Sequence, residues 1–176
     1  MNTTSTCLQR FDETADKWIS CLDNYSLPML HQQPVNGSWS LGQVYTHIIS
    51  DTRFFIGQMK LALADTENYD KQMRNDAVEI LNNNDFPDIQ ISNPSASQPP
   101  QPLDKNEILA GLTAIKQDMY ELCLANNLDE SKGKSLHPGL LYFNALEWLR
   151  LAEIHMRHHF RQKKRIDAAL FQKSSG

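Results

Sequence analysis

An apolar stripe at helical spacing appears four times along this chain, and the gaps between stripes restrict how the segments can be joined. Leu8, Phe11, Ala15, Trp18, Leu22 and Tyr25 share one face of the first segment, which predicts a helix over roughly residues 5–26, ending before Pro28. The second opens at Ser40, with Gln43 three residues on as a capping box requires and with Trp39 and Val44 at the two positions of a hydrophobic staple. Its inner face continues through Val44, Ile48, Phe55, Met59 and Ala62. The third starts at Asp104 with Glu107 three residues on, and turns Ile108, Leu112, Ile115, Met119 and Leu122 inward. The fourth starts at Asn144, again with a glutamate at the capping-box position, Glu147, and with Phe143 and Trp148 as a second staple pair. It runs to about Phe171.

From Asp65 to Leu103 the periodicity weakens to one short helical stretch, NDAVEIL, followed by NNNDFPDIQISNPSASQPPQP. Prolines in that run remove helix donors and favour extended backbone, so a long connection is expected there. No alternating run bounded by hairpin signals is present, and IQIS is too short and too near proline to seed a sheet. The expected fold is all-α: a four-helix bundle with a long, partly irregular connection between helices 2 and 3, forming a single domain over residues 1–176.

A formal net charge of −4 argues against general nucleic-acid binding, which needs surplus Lys and Arg to displace counterions. The basic run RHHFRQKKRID reads instead as the solvated side of the last helix, with cations near its C-terminus. No window approaches the ~18 apolar residues of a membrane span. The start MNTTSTCLQRFDETADKW lacks the pattern of a secretory signal, and Cys7, Cys21 and Cys123 suggest no disulfide framework. A cytoplasmic protein is expected, with no nucleic acid or membrane as partner.

Three histidines fall within EWLRLAEIHMRHHFRQKKRID. The inner stripe of that helix follows Trp148, Ala152, His155, His159, Gln162, Ile166 and Ala169, so His155 and His159 belong to the buried face, one turn apart. His158 lies about 80° off the stripe, beside Arg157, Arg161 and Lys164. His47, early in the second helix and near an apolar face, adds an imidazole from a distant part of the chain. Two imidazoles from one helix and a third from another form a three-ligand set with a position left for water or substrate, as catalytic zinc sites have. The alternative is that each ring is hydrogen-bonded without metal, since unpartnered buried polar groups cost roughly 1–3 kcal/mol each.

At WSLGQVYTHII, HPGLLYFNALEWL and HMRHHFRQKKRID the sequence resembles the DinB/YfiT-like superfamily of metal-binding four-helix bundles. Matched position by position, the resemblance implies His47, His155 and His159 as metal ligands, with zinc or nickel as the divalent ion. It also implies a homodimer, and a metal-dependent enzyme that transfers a low-molecular-weight thiol to an electrophilic small-molecule substrate. The competing readings are a non-catalytic metal-binding or sensing bundle, and a metal-free dimerisation module. Asp51, one turn after His47, is a candidate orienting acceptor or proton acceptor, or else a solvated carboxylate. Glu147 reads as a cap, Glu153 as part of the polar face, and His137 as a turn residue with a structural hydrogen bond.

Overall fold

The computed structural model describes residues 3–35, 37–87 and 98–171. Its helices are α1 (Thr3–Leu22), α2 (Leu27–His31), α3 (Leu41–Ala64), α4 (Asn75–Asn83), α5 (Lys105–Ala125) and α6 (Ala145–Leu170), with a hairpin of β1 (Lys134–His137) and β2 (Leu141–Asn144) between the last two. The four long helices pack as a closed ring in which α6 touches α1 and α3, and α5 touches the same two from the other side. The four-helix bundle expected from the stripes is therefore the fold. Much of the proline-bearing connection, residues 88–97, lies outside the described residues.

Both capping boxes form. Ser40 Oγ accepts from Gln43 N at 3.1 Å while Gln43 Oε1 accepts from Ser40 N at 3.0 Å, and Asn144 and Glu147 make the same reciprocal pair at 2.9 and 2.8 Å. These pairs satisfy donors that every helix start leaves orphaned, and so fix where α3 and α6 begin. The rings of Phe143 and Trp148 meet at 5.0 Å. Asp104 caps α5 through Glu107 N at 2.7 Å.

Three features depart from the expectation. First, α1 stops at Leu22, because Ser26 and Pro28 start a new short helix rather than merely ending the old one: Ser26 is its N-cap and proline fits the first turn. Second, LHPGLLYF forms a hairpin pairing Ser135 with Phe143 and His137 with Leu141. Its turn is held by a side chain: His137 Nδ1 accepts from Gly139 N at 3.0 Å and Leu140 N at 3.1 Å, which is the structural role expected of this histidine. The hairpin caps one flank of the bundle, since Ser135 Oγ donates to Gln58 O and accepts from Trp148 Nε1, both at 2.8 Å. Third, Glu153 is buried instead of lying on a polar face: it accepts from Thr14 Oγ1 at 3.1 Å and pairs with Arg157 at 2.7 Å. Because α6 is covered by α1 as well as α3, its buried sector is wider than one stripe.

Trp18 joins three helices in the core. Its indole donates to Met156 O at 3.1 Å and stacks on Phe160 at 4.4 Å, and Tyr45 Oη donates to Trp18 O at 3.0 Å. All the polar atoms of this buried cluster thus have partners, as burial demands.

Where the chain enters the hairpin, a Cβ on Gly133 would collide with Ala62 O and Asp65 O, both backbone atoms that cannot swing aside. Gly133→Ala is expected to lower stability by about 1–3 kcal/mol, the cost of overpacking. A urea midpoint unchanged from the parent protein would show that the two backbones can separate freely.

Candidate metal centre

The caps set the phase of the helices that carry the histidines. His47 lies on the α6-facing side of α3, and His155 and His159 meet it from mid-α6. Ring centroids are 5.1 Å apart for His47 and His155, 4.8 Å for His47 and His159, and 4.6 Å for His155 and His159. One nitrogen from each ring can be chosen so that all lie within 4.8 Å of one another. His155 Nε2 and His159 Nε2 are only 3.1 Å apart.

Tautomers follow from the remaining contacts. His159 Nδ1 is 2.8 Å from Gln162 Oε1, so that nitrogen carries the proton and Nε2 keeps its lone pair. His47 Nδ1 lies 3.4 Å from Asp51 Oδ1, and Asp51 Oδ2 lies 3.6 Å from His155 Nε2, placing the carboxylate at the edge of the cluster between two rings. Gln162 was legible only as a member of the inner stripe; its position three residues after His159 is the signal for its orienting contact.

Burial holds the rings neutral. It lowers His47 to about 4 and, helped by the His47 ring nearby, lowers His159 to about 3. His155 is pushed well below its ordinary value by burial and by the imidazoles of His159 and His47. Burial raises Asp51 to about 6, although 35% of its side chain still meets solvent. His47 is 21% exposed and His155 14%, so solvent reaches the margin of the cluster at both rings as well as at Asp51.

These residues fit a divalent ion. The rings are neutral, and one nitrogen from each converges within 4.8 Å of the others, with His155 Nε2 and His159 Nε2 facing one another. Two nitrogens each bound to zinc at about 2.0–2.1 Å in tetrahedral geometry lie roughly 3.3 Å apart, close to the separation of the two Nε2 atoms. Aromatic rings close the surroundings: Trp39 meets His47 at 5.0 Å, while Phe55 and Phe86 meet His155 at 5.5 and 6.2 Å. A separate cleft of about 590 Å³ lies between the start of α1 and the end of α5 and contains none of the histidines.

The other histidines are used differently. His158 stays on the flank, where its Nδ1 accepts from Arg161 at 2.7 Å, and His31 Nε2 bonds to Pro102 O at 2.8 Å. Arg157 and Arg161 do not form a free basic face, since they pair with Glu153 and Asp85. Among the described residues no helix is long and apolar enough to cross a membrane.

The family model of the DinB superfamily matches residues 10–162, from the first helix past the last candidate ligand. The chain belongs to the DinB superfamily. Two solved structures share the fold. YfiT from Bacillus subtilis, "a probable metal-dependent hydrolase with an unusual four-helix bundle topology", aligns at a TM-score of 0.67 and 17% identity over 97% of this chain and 89% of its own. TT2238, a four-helix bundle protein, aligns at 0.63 and 15% identity over 92% of this chain and 98% of its own. No curated protein sequence matches this DinB chain.

Metal-free protein is expected to lose stability as pH falls. Each imidazole, depressed in the fold, contributes stability that is complete above its unfolded value near 6.5 and drains away on acidification towards its folded value. Asp51 opposes this, because its raised value lets the folded state take a proton first between about 6 and 4. Three groups outweigh one, so the urea midpoint should fall from pH 6.5 to 4, and more steeply in Asp51→Asn. A midpoint that rises over that range would contradict neutral, buried rings.

Proposed function

We propose that this protein is a divalent-metal-dependent enzyme in which His47, His155 and His159 hold zinc or nickel and a low-molecular-weight thiol is transferred to an electrophilic small molecule. The observation that carries the reading is the convergence of three neutral imidazoles at a place solvent can enter. A bound divalent ion supplies Lewis acidity there, stabilising the anionic form of a thiol or water.

The chain's own groups do the rest. Gln162 fixes the tautomer of His159 by accepting from Nδ1, which leaves Nε2 as a ligand atom. Asp51 Oδ1 faces His47 Nδ1 and orients that ring, while in this reading Oδ2, 3.6 Å from His155 Nε2, accepts the proton that a thiol gives up. Phe55, Phe86 and Trp39 limit water around the rings.

A hydrolytic reading, with water in place of the thiol, is favoured by what is said of YfiT and uses the same groups. Turnover with a panel of thiols and electrophiles separates the two: loss of electrophile that requires a thiol supports transfer, and equal loss without thiol supports hydrolysis. Metal-loaded protein that does neither, and that is unaffected by His155→Ala, would leave a non-catalytic metal-binding bundle.

Metal affinity reports on the ligands independently of turnover. Gln162→Leu is expected to weaken binding by about 10–100-fold, as removal of an orienting partner does, and His155→Ala by more than about 100-fold. Competition with a chromophoric chelator measures both, and parent-like affinity in His155→Ala would remove that residue from the site.

A further inference from the structure

The turn that leaves α4 is held more tightly than a surface loop requires. Asn84 adopts the left-handed conformation at φ 52°, and α4 closes with Asp85 N bonded to Ile80 O at 3.1 Å and Asn84 N bonded to Leu81 O at 3.3 Å. Three arginines along α6 then take up carbonyls of this segment: Arg150 donates to Leu81 O at 2.6 Å, Arg157 to Asn84 O at 2.6 Å and Arg161 to Phe86 O at 2.8 Å. Arg161 also grips the Asp85 carboxylate with both terminal nitrogens, at 3.1 and 3.2 Å. Planar, two-pronged pairing of this kind fixes direction as well as distance.

The residue delivered by this latch is Phe86. Its ring stands 6.2 Å from His155 and 5.2 Å from His158, and it is only partly buried. On α3, Phe55 meets the same His155 ring at 5.5 Å, and its neighbour Phe54 is 41% exposed. Arg161 bonds the carbonyl of Phe86 itself and the carboxylate of the residue before it, and Arg157 bonds the carbonyl of Asn84, so the backbone on the α4 side of this ring is fixed against α6. We propose that Phe86 is a specificity-determining residue of the site, an aromatic wall, positioned by Arg157, Arg161 and Asp85, that selects thiols or electrophiles carrying an apolar, aromatic substituent.

The inference rests on the reading of the histidines as a metal centre with an accessible position, and it names the substrate chemistry of that position. Aromatic rings prefer edge-to-face or offset contacts at about 4.5–7 Å and gain from them beyond area burial, so one ring is enough for a measurable preference.

The test uses the cobalt-loaded protein and two probes, 2-mercaptoethanol and benzyl mercaptan, with dissociation constants read from the thiolate-to-cobalt absorption band. The parent protein should bind benzyl mercaptan more tightly. Phe86→Ala should shrink that preference by roughly two- to tenfold with cobalt affinity unchanged, and Phe86→Leu should recover part of it. Asp85→Ala, which loosens the latch but leaves the ring, should shrink the preference less, and it decides the matter if Phe86→Ala does not fold. A preference equal in the parent and the variants, with cobalt bound, overturns the role of Phe86 alone. Failure of either thiol to alter the cobalt spectrum removes the open metal position and the wall's role with it.

Discussion

The contact between α3 and α6 brings three imidazoles together and keeps them neutral, and the chemistry proposed for the molecule depends on that one piece of packing. Desolvation is the dominant cause of the depressed values at all three rings. Burial therefore converts groups that would titrate near physiological pH into permanent lone-pair donors. In the metal-free protein the same burial raises Asp51. Neighbouring groups are thus shifted in opposite directions by a single cause, because one is charged when it gains a proton and the other when it loses one.

That contact is braced from several sides. Trp18 bonds to the α6 backbone at Met156 and accepts from Tyr45 of α3, so α1 locks the two histidine-bearing helices at the level of the cluster. The capping boxes at Ser40 and Asn144 fix where each helix starts, and hence the direction in which residues 47, 155 and 159 point. The hairpin ties α3 to α6 further along through Ser135. On the outer side, the arginines of α6 draw in the end of α4.

What the sequence made legible was local and periodic. The stripe through Trp148, Ala152, His155 and His159, and the two capping boxes, are helix-intrinsic patterns; they put His155 and His159 on the buried face of α6 and His47 early in α3 near its apolar face, and the resemblance at WSLGQVYTHII and HMRHH joins the three as one ligand set. The hairpin was not legible, since strands of four residues are too short to show alternation and their turn is held by the His137 ring rather than by a recognised turn sequence. Periodicity assigns Glu153 to the polar face because it describes one buried face, whereas α6 is covered on two. The contact of Asp51 with His155, and the delivery of Phe86 by arginines seventy or more positions away, arise from tertiary packing that no local pattern encodes.

The most direct test of the central claim is X-ray absorption at the metal edge of protein purified without a metal-affinity tag. Three imidazole nitrogens at about 2.0–2.1 Å from the ion, reduced to two in His47→Ala, are the predicted result. An ion whose shell contains no imidazole, or one unchanged by His47→Ala, would contradict the account.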